Sequence, residues 1–241
     1  MGTDVDVKKY IDEAIQLIKD NTVNIGIASL LSSLILTVTV IFPAILVGPL
    51  MGGMFYILID MNAGEPFDVK RLFDGFKLNA MPLVFASFLV SIFVAIGSLL
   101  VFPGIVISAW YMFTFLNIVD RDMEFWGAME SSREMTFKNV SGALALGAVY
   151  FVPIVGFYAL MVALAWFDAP AIPMAVLMLV GYAAGMAFYS CFTFRAYINM
   201  VGLVYDPSTS KGGGRTLDSK PAIRVVHKPK PEEDPKKSGR G

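Results

Sequence analysis

Histidine and cysteine are almost missing from this 241-residue chain, which holds one of each, His227 and Cys191. With its only histidine in a polar C-terminal stretch, the apolar body has no histidine general base and no histidine metal centre. No zinc site can be assembled from such a set. A lone cysteine excludes an intrachain disulfide and a Cys-x-x-Cys redox pair. Without a histidine to activate it, Cys191 reads as a small packing residue rather than a nucleophile. No Gly-x-Ser-x-Gly elbow, phosphate loop or dinucleotide fingerprint occurs. Catalysis would have to rest on carboxylates, no cofactor is called for, and the chain reads as non-enzymatic.

Charge is scarce as well. Only 16% of residues are charged and 56% are hydrophobic, against about 25% charged in an ordinary soluble domain. The deficit is concentrated, because the 183 residues from Val23 to Tyr205 carry 17 of the 39 formal charges. That composition excludes a single soluble core and places the middle of the chain in a bilayer.

What is present is a set of long apolar runs. Val23 to Ile59 is 37 residues without a charge. As one helix it would run about 55 Å, nearly twice the ~30 Å hydrocarbon core, so it reads as two spans broken at Pro43. Leu78 to Val119 reads the same way, broken at Phe102-Pro103-Gly104. Asn139 to Phe167 and Ala171 to Tyr197, parted by a turn containing Asp168, Pro170 and Pro173, complete six transmembrane helices in three hairpins, an all-α polytopic membrane protein. Six spans put both termini on one side. The polar segments there, 1–22, 62–78, 120–138 and 206–241, hold 18 of the 19 lysines and arginines. Positive charge is retained in the cytoplasm, so both termini are expected there, in a bacterial plasma membrane. The exception, Arg195, lies near the end of the sixth span, where it can snorkel.

The chain also matches itself at a shift of 60 residues. Phe42 and Pro43 align with Phe102 and Pro103, Ile45 with Ile105, Phe55 with Phe115, Asp60 with Asp120 and Asn79 with Asn139. The repeated unit reads as a membrane hairpin followed by an amphipathic helix at the interface. In the first linker Val69, Leu72, Phe73 and Phe76 recur at helical spacing, with Asp68 as the expected N-cap. In the second, Phe125, Trp126 and Met129 do so, with Asp122 as the expected cap. Residues 1–22 form a third amphipathic, cytoplasmic helix. Residues 23–205 are the six-span domain. Residues 206–241, with Gly212 to Gly214 and the run from Lys228 to Pro235, have too few apolar groups to fold alone and read as a disordered cytoplasmic tail.

The segments GPLMGGMFYILIDMNAGEPFDVKRLFDGFK, FPGIVISAWYMF and AMESSREMTFKN carry a family resemblance. Over residues 20–205 the chain resembles a family of bacterial polytopic membrane proteins with a domain of unknown function, distantly like the membrane domain attached to some glycerophosphodiester phosphodiesterases. Gly48, Gly52, Gly64, Glu65, Gly75, Phe76, Pro103, Gly104, Ala128, Ser132, Arg133 and Glu134 match its pattern. The resemblance implies a polytopic fold and no established activity; the phosphodiesterase domain is absent from this sequence.

The candidate polar cluster is Asp60, Asp120 and Arg195. The aspartates hold identical places in the repeats near span ends, where a carboxylate opposes the helix dipole and needs a partner that Arg195 could supply. One reading is a polar vestibule; the other, favoured, is that each aspartate marks the water boundary. Asn79 and Asn139 read as N-caps. Gly48 with Gly52, and Gly181 with Gly185, form Gly-xxx-Gly faces for helix packing. The expected partners are the lipid bilayer and a protein bound through the tail and interfacial helices, with no nucleic acid and no metal; the oligomeric state stays open. The function expected is the organisation of membrane or partner proteins. The alternative is a transporter or channel for a small solute or lipid.

Overall fold

A computed structural model describes residues 6–38, 43–98, 101–137, 140–167 and 170–204. The expectations for Phe42, Asn139, Asp168, His227 and the tail 206–241 lie outside the described residues. Those described are helical, with no strand: α1 Val7–Asp20, α2 Thr22–Val38, α3 Pro43–Asn62, the 3-10 helix η1 Val69–Phe76, α4 Ala80–Ser98, α5 Val101–Tyr111, α6 Thr114–Arg121, α7 Phe125–Phe137, α8 Val140–Trp166 and α9 Ala171–Met200.

Among the described residues, five segments are long and apolar enough to cross a membrane: Ile45–Asn62, Ala80–Gly97, Pro103–Arg121, Leu144–Trp166 and Ile172–Met200. The first expected span is represented by α2, whose apolar stretch Thr22–Leu36 is shorter. The third of the five is not one helix. α5 and α6 are parted by a turn at Met112 and Phe113, a break the sequence reading did not anticipate.

Local chemistry sets the helix ends. The Asp6 carboxylate accepts the Lys9 N–H at 3.0 Å and opens α1, and Asp68 opens η1 in the same manner, accepting the Lys70 N–H at 2.9 Å. α3 begins at Pro43, whose fixed φ suits a first helical position. Two expectations are corrected. The second hairpin does not break across Phe102-Pro103-Gly104: α5 is already helical at Val101 and carries Pro103 within its described helix. Nor does Asp122 open α7. It takes a left-handed φ of 56° and its N–H closes α6 onto the Ile118 carbonyl at 3.1 Å, a conformation open to aspartate through its short polar side chain.

The linker helices also differ from amphipathic helices lying free at an interface. α1 turns Tyr10 and Ala14 inward, both buried in the main apolar core that includes Phe192, Ala196 and Tyr197 of α9. η1 folds back along α3. A Cβ on Gly53 would overlap the Leu72 carbonyl, and one on Gly75 would overlap the Pro49 carbonyl, so only glycine permits this backbone-to-backbone approach. The apolar stripes are spent only in part on neighbouring helices: Tyr10, Ala14, Leu72 and Met129 are buried, while Phe73 and Trp126 stay exposed.

This packing buries the centre. α3 from Gly48 to Asp60, and the stretch from Met112 to Asp120, are buried at every position. Phe55, Tyr56, Phe113, Phe192 and Tyr197 are among the large side chains filled in around them. By contrast, Val152, Val162, Trp166 and Phe167 around α8, and Ile172 and Val176 of α9, are more than half exposed. Polar contacts collect where the buried helices end.

Candidate functional site

Asp60 sits at the end of α3, 7% exposed. Eleven residues on, η1 has folded back so that the Arg71 guanidinium meets it with two bonds, Nε to Oδ2 at 2.6 Å and Nη2 to Oδ1 at 3.2 Å. Arg71 also donates to Asp74 Oδ2 at 2.9 Å. A bidentate guanidinium–carboxylate pair is the strong, directional form of this contact. It fastens η1 to α3 beside the glycine contacts, so the ion pair and the close backbone approach support one geometry.

Asp120 is fully buried. Its carboxylate accepts the Tyr197 hydroxyl at 2.9 Å and the Val204 N–H at 2.9 and 3.2 Å to its two oxygens. Asn117 Oδ1 lies 3.3 Å from the same hydroxyl, and the Asn117 amide donates to the Ala128 carbonyl of α7 at 3.2 Å. Arg121 places its Cζ 5.9 Å from the centroid of the Tyr197 ring, a cation–π distance.

The break between α5 and α6 is filled by a side chain. Ser132 of α7 accepts the Phe113 N–H at 3.1 Å and donates to the Trp110 carbonyl at 2.6 Å. Backbone groups released by the break thereby keep partners in an apolar setting. Asn79 does likewise across helices, its amide donating to the Ile118 carbonyl at 2.9 Å. Asn79 holds the N-cap position of α4, its carbonyl accepting the Leu83 N–H at 3.1 Å, while its side chain makes a tertiary bond that ties the start of α4 to α6.

Asp60, Asp120 and Arg195 do not come together as one cluster. Arg71, not Arg195, is the ion-pair partner of Asp60, and among the described residues no ion pair joins Arg195 to either aspartate. The reason is topological: a linker folded back on its own span brings its arginine to the span end before a distant helix can. Arg195 Nε is buried without a hydrogen-bond partner among the described residues. Its carbonyl accepts the Asn199 amide at 2.8 Å, and that amide also reaches Glu13 of α1 at 2.8 Å.

The glycines divide similarly. Gly48 and Gly52 press on α4, where an added Cβ would strike the Leu83 carbonyl at Gly48 and lie 2.5 Å from Leu83 Cδ1 at Gly52. Gly181 meets the Phe157 ring of α8, whereas Gly185 has nothing within 4 Å. Gly53, Gly75, Arg71, Ser132, Asn117 and Tyr197 went unremarked as contacts in the sequence. The 60-residue shift holds the only signal for some of them, since Gly53 faces Leu72 and Phe113 faces Ser132, positions 60 apart.

Outside the apolar spans, Glu130 is bonded by the Arg133 guanidinium, which holds its carboxyl below the usual range. Burial against α9, with the nearby Glu13 and Asp6 carboxylates, pushes the Tyr10 phenol up. Comparison of the chain with known families, characterised proteins and solved structures finds no significant match.

Proposed function

We propose that the chain is a non-enzymatic integral membrane protein that organises membrane or partner proteins. In this reading it has six spans in three hairpins, α2 being the first, with both termini in the cytoplasm of a bacterial cell and the tail and α1 offered to partners. One observation carries the proposal: the two aspartates at the span ends and the break between α5 and α6 are closed by groups of the fold itself. Asp60 is closed by Arg71, Asp120 by Tyr197 and Val204, and the helix break by Ser132, around helices packed on all sides with apolar groups. A seat for each linker on the preceding span, at positions 60 apart, supports the reading of a duplicated unit. The motif residues from Gly48 to Glu134 support a place in the polytopic family and assign no activity.

A transporter or channel for a small solute or lipid is the second reading, favoured by the α5–α6 break, because discontinuous helices line many transport sites. Cysteine placed at Ser108 or Thr114, both buried, in a Cys191→Ser background distinguishes the two. A packed centre resists a small water-soluble thiol reagent from both sides of a vesicle. Labelling that a solute or lipid blocks would replace the scaffold with the transporter.

A further inference from the structure

Asp120 has no exposure, yet one of its partners comes from the far end of the described chain. After α9 the Val201 N–H returns to the Tyr197 carbonyl at 2.8 Å, and the Gly202 N–H to the Ile198 carbonyl at 3.1 Å. Gly202 then adopts φ +83°, a left-handed conformation that a side chain would strain. The chain reverses there, and the Val204 N–H meets both oxygens of the carboxylate. The Tyr197 hydroxyl, one turn before the end of α9, holds the carboxylate from the other direction.

A carboxyl group out of reach of water needs hydrogen-bond partners, and losing one is costly. The turn 201–204 supplies one such partner, so it is bound to the core by more than ordinary helix capping. Its place in the chain matters, because the next residues begin a segment, 206–241, with nine basic and five acidic side chains.

We infer that the turn Val201–Val204 is a latch with Asp120 as its catch, and that drawing the basic C-terminal segment onto an acidic lipid surface opens it. Closed, the latch fixes where that segment leaves the membrane domain. Open, it frees the end of α9 and exposes the Asp120 carboxylate to water. Because Asn117 joins the same hydroxyl to Ala128, opening reaches α6 and α7. The latch rests on the hydrogen bonds of the turn; its use as a switch rests on the proposed reading of the tail as the part offered to partners, with acidic lipid as the partner here.

The test is amide hydrogen exchange on the full chain in bilayer nanodiscs. Val204→Pro removes the donor without touching the carboxylate, and Gly202→Val opposes the left-handed turn. Each should speed exchange at residues 201–203 by about ten- to a hundredfold, the loss expected when a buried group gives up a hydrogen-bond partner, with exchange in α3 and α6 unchanged. Unchanged exchange at 201–203 in Val204→Pro overturns the latch. So does equal acceleration throughout α3 and α6, which would make the contact part of global stability. For the unmodified chain, vesicles rich in phosphatidylglycerol should speed exchange at 201–203 where phosphatidylcholine vesicles do not. Equal rates in both lipids, with the variants behaving as expected, would overturn the switch and lipid docking of the segment while leaving the latch in place.

Discussion

The Asp60–Arg71 pair is the contact whose removal should cost most per atom changed. Its side chains are 11% and 29% exposed, so neither extreme of ion-pair energetics applies. A fully buried pair loses about 3–5 kcal/mol when one partner is removed, and an exposed one about 0–1 kcal/mol. Asp74, 2.9 Å from Arg71, keeps part of the compensation for the guanidinium when Asp60 is changed, but nothing comparable compensates Asp60 when Arg71 is changed. Arg71→Met should therefore cost more, ~2–3 kcal/mol, than Asp60→Asn, ~1–2 kcal/mol, both between those limits. The double variant should recover part of the sum, a coupling of ~1–2 kcal/mol. Equilibrium unfolding in mixed detergent micelles measures all four corners of the cycle. Losses that add to within ~0.5 kcal/mol, or a rescue of Asp60→Asn by Arg195→Met, would refute the assignment of Arg71 as the partner.

Gly48→Ala should destabilise by ~1–3 kcal/mol through overpacking against the Leu83 carbonyl, while Gly185→Ala, with nothing within 4 Å, should be neutral or stabilising by up to ~1 kcal/mol through helix propensity; the same unfolding assay compares them. Ser132→Ala leaves the Phe113 N–H without its acceptor and should cost ~1–3 kcal/mol, with local exchange at residues 110–114 rising ahead of the rest. Glu130 titrates below the usual carboxylate value because Arg133 hydrogen-bonds to it. Its small contribution is thus present above the unfolded pKa and is lost as pH falls through the lowered folded value. Arg133→Gln should raise that pKa toward the ordinary range in a carboxylate NMR titration, and an unchanged pKa would discard the cause. For topology, cysteines at Lys77, Arg133 and Lys211 should resist an impermeant thiol reagent in intact cells and one at Ala169 should react, after Cys191 is replaced; the opposite pattern would reverse the orientation.

Membrane character was legible because a charge-free run of 37 or 42 residues has few other physical uses. The Asp68 cap follows from a short-range rule and is found where expected. Partners were not legible, because they depend on where a linker goes once it leaves the helix. Periodicity marked Leu72 and Phe76 as apolar without revealing that Leu72 lies on Gly53 rather than on lipid. Likewise, the sequence placed Asp60 and Asp120 in register, but register does not name Arg71 or Tyr197. Asp122 and Asn79 show the limit from the other side: each is a good cap by residue type, but Asp122 closes α6 instead of opening α7, and the Asn79 side chain turns to a tertiary bond.

The proposed 60-residue duplication would give its two halves a common contact. In each, the linker helix returns along the span before it and meets it at matching positions, Gly53 against Leu72 and Phe113 against Ser132. In the first half glycine makes room, the contact is between backbones, and α3 continues unbroken past it. In the second, a phenylalanine occupies the place of the glycine, the helix breaks at that point, and a serine hydroxyl enters to bond both freed backbone groups. The seat is shared while the chemistry that closes it is not, and the same divergence follows to the span ends. Where the first linker supplies Arg71, the corresponding position in the second is Ser131, which has no charge to offer Asp120. Asp120 must therefore find its donors elsewhere, and it finds them in α9 and in the turn beyond it. Under the proposed duplication, a serine at the position of Arg71 thus leaves Asp120 to be closed by α9 and the turn Val201–Val204.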